Sequence, residues 1–180
     1  VEELRIRLAL AGDISALDAL MKESMGELSR GFYDEVQAAS AVRYIAAPDP
    51  EIIGDGTYFA VEAEGEIVGC GGWSRRKKLF TGTSDQEGLE GQWLDPASEP
   101  ARIRAMFVAP SMARRGVGRL IYQACEGAAR DFGFSDLELM ATLPGVPFYR
   151  SIGFVELEEV ELRLPDGVVL GAVRMRKSIR

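Results

Sequence analysis

The residues with the most chemical content are gathered in one short stretch, Ser111-Met112-Ala113-Arg114-Arg115-Gly116-Val117-Gly118-Arg119-Leu120. Glycines and arginines stand together where the apolar periodicity of a helix begins. Each glycine in a helical first turn costs up to about 1 kcal/mol relative to alanine. Arginine at a helix start opposes the positive end of the backbone dipole. One ligand reconciles both features. Glycine lets a backbone come close to a bound group, the unpaired N–H groups of a first turn attract anions, and arginines offset the charge of a pyrophosphate. The plain alternative is a strand-to-helix turn with solvated arginines. Two familiar phosphate loops do not fit: the Lys-Ser/Thr ending of a triphosphate loop is missing, and no third glycine completes a dinucleotide fingerprint. Taken alone, the elbow indicates an anion of the phosphate type.

The rest of the composition narrows the chemistry. The 180 residues contain no histidine, which removes the usual general base, the Ser-His-Asp and Cys-His arrangements, and the commonest metal ligand. No CxxC pair or carboxylate cluster with metal spacing takes its place, so no metal is expected. The net charge of −7 argues against a nucleic-acid partner. An acidic chain that binds a polyanion needs a local basic patch, and the arginines of the elbow are one. Cys70 and Cys125 both lie in apolar periodic segments and read as buried free thiols. No apolar run reaches membrane-span length and no signal-peptide pattern opens the sequence, so no membrane partner and a cytoplasmic location are expected.

The elements that position the elbow follow from periodicity. Residues 1–9 alternate Leu4, Ile6 and Leu8 against charges and predict a strand. Asp13 is an N-cap candidate for a helix carrying Ile14, Leu17, Leu20, Met21 and Leu28 at helical spacing. A second helix is predicted over 34–46, before Pro48. A hairpin of strands 57–63 and 66–74 turns at Glu64-Gly65. Residues 75–100 break the rhythm with a basic run, glycines and prolines, and predict a long insertion that is either a functional lid or a mobile loop. Strand 101–108, helix 114–132, strand 136–141, a short helix 145–151, and strands 155–164 and 168–177 follow. The last two are joined at Pro165-Asp166-Gly167. The order predicts one domain over 1–180, an α/β protein with a mixed sheet rather than a doubly wound one.

The succession "IRAMFVAP", "ARRGVGRL", an amphipathic helix, "LELMA" and "PFYRSIGF" resembles the GNAT family of acetyl-CoA-dependent N-acyltransferases. The likeness is strong over residues 101–157 and looser over 4–74. It implies a mostly antiparallel central sheet of about seven strands flanked by helices, with a splayed, bulged central strand. It implies that Arg114, Arg115, Gly116, Val117, Gly118 and Arg119 cradle the pyrophosphate of coenzyme A. Backbone groups at Met106, Phe107 and Val108 would then meet the pantetheine arm. Two departures stand out: Ala113 replaces the glutamine or arginine that often opens the loop, and Ala141-Thr142 stands where many members carry asparagine.

In the same resemblance Tyr149 of "FYRSIGF" matches the tyrosine that protonates the departing thiolate. The chemistry is reasonable, since a phenol of pKa near ~10 can donate to the thiolate of a thiol near ~8.5. Its alternative is a packing aromatic beside Phe148 and Phe154, which read as core. The nucleophile is the acceptor amine. The acid usual on the central strand is absent, with Arg102, Ile103 and Arg104 in its place. The base is left open among Glu87, Glu90 and Asp95 of the insertion and Glu23, Glu27 and Glu35 of the N-terminal helices. Phe80, Leu89 and Trp93 of the insertion, and Trp73, are candidates either for an acceptor pocket or for packing.

The resulting expectation is an N-acetyltransferase using acetyl-CoA as co-substrate and an amine of a small molecule or protein as acceptor. The competing readings are an acyl-CoA-binding sensor without turnover, and an interaction domain without a cofactor, against which the glycine costs argue. Homodimerisation, frequent in the family, is compatible with the sequence without being written in it.

Overall fold

The structure is a computed structural model that describes residues 3–180. Residues 1 and 2 of the first predicted strand lie outside the described residues. A single sheet has the spatial order β1-β2-β3-β4-β5-β7-β6. Its strands are β1 (Leu4–Leu8), β2 (Tyr58–Ala63), β3 (Glu66–Ser74), β4 (Ala101–Val108), β5 (Asp136–Thr142), β6 (Val155–Arg163) and β7 (Val169–Ser178). Every neighbouring pair is antiparallel except β4 and β5. The helices are α1 (Ile14–Leu28), α2 (Glu35–Tyr44), α3 (Pro50–Gly54), α4 (Val117–Phe132) and α5 (Val146–Ser151). Among the described residues no helix is long and apolar enough to cross a membrane.

Sequence reasoning locates these elements to within a few residues except α3, and two details at helix starts differ. The α3 turn is missed because it is short; Asp49 caps it by accepting from the Glu51 N–H, and Pro50 opens it. Asp13 precedes α1 but does not cap it with its side chain. Its carboxylate is spent on Arg7 and the Leu10 N–H. Helix α4 starts at Val117, so Arg114 to Gly116 form the turn before it. Gly116 has φ +89° and Arg114 φ +62°, both in the left-handed region. Glycine therefore suits Gly116 for its backbone angle.

Two distortions of β4 shape everything near the elbow. The first is a bulge. Cys70 pairs with Phe107 and Gly72 with Arg104, so Gly71 faces both Ala105 and Met106. Ala105 takes φ +50° there. Its carbonyl, turned out of the ladder, accepts a 2.6 Å hydrogen bond from the hydroxyl of fully buried Tyr58. The second is a splay. β4 and β5 are registered only at Ala101 with Leu137 and Arg102 with Glu138, and beyond that rung they part. Arg102 and Glu138 close the vertex with a 3.1 Å ion pair, and Glu138 also holds Arg174 at 2.7 Å.

Helix α4 is seated close to β3 because β3 offers no side chains in its way. A Cβ on Gly69 would meet Val117 Cγ1 at 2.4 Å, and one on Gly71 would meet Ile121 Cγ2 at 2.9 Å. The amphipathic face of α4, with Val117, Ile121, Cys125 and Ala129 buried, fills that space. This anchors the helix start beside the splayed strand.

The insertion at 75–100 is fastened rather than loose. Lys77 donates from its backbone to Gln92, and Leu94 to Arg75, which closes a short stem. Trp93 is sandwiched by the Arg75 and Arg76 guanidiniums at 4.1 and 4.2 Å from its ring centre. Arg76 in turn is tied to Asp55 at 2.7 Å.

Candidate functional site

A cleft of about 650 Å³ opens where β4 leaves β5. Its walls come from the end of β4, the elbow and start of α4, the β5–α5 turn with α5, and the end of α1. It brings together Met106, Phe107, Val108, Arg114, Gly116, Gly118, Arg119 and Tyr149, residues separated by more than forty positions in the chain.

Two of the expected cradle residues stand differently. Val117 is buried in the core against β3, so only its backbone is available to the elbow. Arg115 does not line the cleft and donates to the Met112 sulfur at 3.3 Å. Arg114 and Arg119 line the cleft, and no hydrogen-bond acceptor engages their guanidiniums among the described residues. The first-turn N–H groups of Val117, Gly118 and Arg119 have no preceding helical turn to bond to. By their chemistry these groups suit an anion.

Gly118 has a specific reason to be glycine. A Cβ there would lie 3.3 Å from the ring of Phe148, tighter than ordinary contact. Phe148, read from the sequence as core, is partly buried: it packs against the core and also lines the cleft. Phe154 is core, at 2% exposure.

Tyr149 presents its ring edge to Phe148 and Phe154, with ring centres 5.3 and 5.7 Å away. Its hydroxyl has no hydrogen-bond partner among the described residues. Burial pushes the phenol well above its ordinary value of 10.0, so it stays protonated at working pH. A neutral donor with no internal partner, on the wall of a cleft, is equipped to donate to a ligand.

Tyr33, which no local motif singles out, holds this wall in place. Its hydroxyl donates to the Gly171 carbonyl at 2.7 Å and accepts from the Leu143 N–H at 3.0 Å. It thereby ties the end of the α1–α2 connection to β7 and to the turn that leads into α5. Met25, Leu28 and Ser29 complete the opposite side of the cleft.

A second, smaller cavity of about 110 Å³ adjoins the cleft; Met25, Met106, Phe107, Thr142, Gly145 and Tyr149 border both. Three residues of the insertion, Leu79, Phe80 and Thr81, form one of its walls. The insertion thus contributes part of the wall of this cavity. Leu89 and Trp93 do not reach the cavity, and Trp93 serves the stem described above. Trp73 is buried against Phe132 and Phe134, remote in role from any acceptor. Thr142, at the position where an asparagine was the comparison, lines both spaces.

None of the carboxylates considered as a base lines either cavity. Asp95 accepts from Ala97 N and Ser98 Oγ and so shapes its own turn. Glu27 pairs with Arg30, and Glu23, Glu35 and Glu87 are exposed. The one charged side chain bordering the second cavity is Arg104, 3% exposed and paired with Asp49 at 3.0 Å. Burial lowers its pKa, and Asp49 opposes that shift. The place of the usual strand acid is thus taken by a buried ion pair.

Comparison with known proteins agrees with this geometry. The family model described as the acetyltransferase (GNAT) family matches residues 18–154. No match was found among curated proteins. Among solved structures, a GCN5-related N-acetyltransferase from Rhodopseudomonas palustris superposes with a TM-score of 0.75 at 20% identity, covering 99% of this chain and 98% of that one. The PaiA N-acetyltransferase of Thermoplasma acidophilum, solved in complex with coenzyme A, gives a TM-score of 0.65 at 14% identity, with 98% and 99% covered. A ribosomal-protein-alanine N-acetyltransferase from Brucella melitensis gives 0.62 at 19% identity, with 97% and 99% covered. These likenesses are of fold.

Proposed function

The chain belongs to the acetyltransferase (GNAT) family, and from that premise we propose that it moves an acetyl group from acetyl-CoA to a primary amine of a small molecule or protein. The observation that carries this reading is the cleft itself: Arg114, Gly116, Gly118 and Arg119 of the elbow and Tyr149 line one space at the parting of β4 and β5.

The residues fit coenzyme A by their chemistry. The amides of Val117, Gly118 and Arg119, with the Arg114 and Arg119 guanidiniums, suit a pyrophosphate. Backbone groups of Met106 to Val108 stand free of β5 and suit the amide-bearing pantetheine arm. The acceptor amine, in its neutral form, attacks the thioester carbonyl directly within a ternary complex. The C–N bond forms, the C–S bond breaks, and the thiolate leaves. Tyr149 donates its proton toward that sulfur, and the proton lost by the nitrogen restores the phenol or passes to water. With no carboxylate on either cavity wall, deprotonation of the amine falls to water or to solution equilibrium.

That absence favours one second reading, an acyl-CoA-binding module without turnover. Calorimetric titration with acetyl-CoA tests the binding half that both readings share. Gly118→Asp sets a carboxylate beside the first-turn amides and is expected to abolish binding; undiminished binding in a folded variant removes the elbow assignment. Thiol release across an amine panel separates enzyme from module.

A further inference from the structure

The geometry points to an acceptor amine whose apolar body carries a neutral carbonyl group, received by Arg104 in the second cavity. This deepens the acyl-transfer reading above and rests on it for the role of the cavity.

Arg104 is buried at 3% exposure and its donors are unevenly used. Both hydrogens of Nη2 are committed, to Asp49 Oδ2 at 3.0 Å and Thr81 Oγ1 at 2.9 Å. Nη1 reaches only the Lys78 carbonyl, at 3.5 Å. Nε has no acceptor among the described residues. This N–H is not sealed from solvent, since the buried unpartnered side-chain atom among the described residues is Glu90 Oε2; a ligand that displaces water from it without offering an acceptor leaves it unpaired. The rest of the lining is mostly apolar, including Ile103, Phe107, Leu139 and Leu162; its side-chain oxygens are those of Thr81, already bonded to Nη2, and of Thr142 and Tyr149. None of these oxygens is bonded to Nε, so a ligand that fills the space and keeps that N–H paired brings its own oxygen on an apolar frame.

The kind of oxygen follows from the same contacts. Gripping a carboxylate with two parallel bonds uses Nε together with Nη2, and Nη2 is spent. Asp49 also neutralises the guanidinium already, so a second carboxylate would be a net buried negative charge. A single neutral carbonyl, as in an amide, satisfies the free N–H without either penalty. Tyr149, Met106 and Thr142 border both spaces, so an amine beside Tyr149 has its carbonyl-bearing portion directed into the Arg104 cavity.

The test compares two probe series on the coenzyme A-saturated protein by ligand-observed NMR titration, with thiol release from acetyl-CoA measured in parallel. One series is leucinamide, leucine and isopentylamine; the other is ε-aminocaproamide, ε-aminocaproate and pentylamine. In at least one series the amide is expected to bind about tenfold or more tightly than both counterparts, the size of a hydrogen bond to a charged group. Arg104→Lys keeps a cation for Asp49 but has no Nε–H, and is expected to reduce that advantage to roughly threefold or less. Should the variant not fold, the wild-type series decides alone. Amide and plain amine binding alike in both series, or the free acid binding tighter than the amide, overturns the inference. The amide preference without thiol release would remove acyl transfer and leave the Arg104 site standing. Thiol release without the preference would do the reverse.

Discussion

The Tyr58 hydroxyl donates a 2.6 Å hydrogen bond to the carbonyl of Ala105, the residue at which β4 bulges with φ +50°. The pair links a fully buried phenol on β2 to the distortion that frees the edge of the central strand for a ligand. Tyr58→Phe leaves that carbonyl unsatisfied and is expected to cost about 1–3 kcal/mol of stability. Urea unfolding measures it, and acetyl-CoA affinity is expected to fall as well because the bulge loses its brace. A variant as stable as wild type would show that the bulge is held by the strand pairing alone.

Two glycines, one capping α4 and one inside it, separate a functional position from an indifferent one. Gly116 sits at φ +89°, where an alanine costs about 1–2 kcal/mol and distorts the elbow. Gly127, in the interior of the same helix with open space around it, is expected to gain about 0.5–1 kcal/mol on changing to alanine. Thermal unfolding and acetyl-CoA titration of the two variants should diverge: Gly116→Ala weakened in both, Gly127→Ala unchanged in binding.

Tyr149 should reveal itself in kcat. Tyr149→Phe removes a proton donor without changing the shape of the wall, and is expected to lower kcat about 100-fold with little change in the KM for acetyl-CoA. Because burial raises this phenol above 10.0, its ionisation should not produce a falling limb in the rate below that pH. The rate should instead rise with pH as the acceptor amine loses its proton, then level. A falling limb below pH 10 that disappears in Tyr149→Phe would contradict the assignment.

The buried thiols set an alkaline limit on stability. Burial pushes Cys70 from 9.0 up to about 12. The folded state therefore holds a proton that the unfolded chain releases, and stability falls as pH rises from 9.0 toward 12. Urea unfolding at neutral pH and in this window is expected to show the loss, smaller in Cys70→Ala than in wild type. Thiol reagents should leave both cysteines untouched until the protein unfolds.

How much of this was legible in the sequence depends on the range of the interaction. Strands β3 and β4 could be read residue by residue, and α4 all but its start, because their periodicity is local. The elbow and Tyr149 could be paired only through resemblance, since nothing local says that residues 114–119 and 149 share a cleft. Arg104, Tyr33 and Tyr58 gave no signal. Their roles consist of partners far along the chain, such as Asp49, Gly171 and Ala105. Trp73 and Trp93 were left open between two roles for the opposite reason. An aromatic is equally suited to a pocket or to packing, and here both pack.

Amine-dependent thiol release from acetyl-CoA bears on the central claim most directly. Wild-type protein is expected to release thiol in proportion to enzyme and to at least one primary amine. Gly118→Asp should be inactive and Tyr149→Phe strongly slowed. Saturable binding of acetyl-CoA with no release above its spontaneous hydrolysis, across amides, amino acids and plain amines alike, would contradict the account and leave a binding module in place of an enzyme.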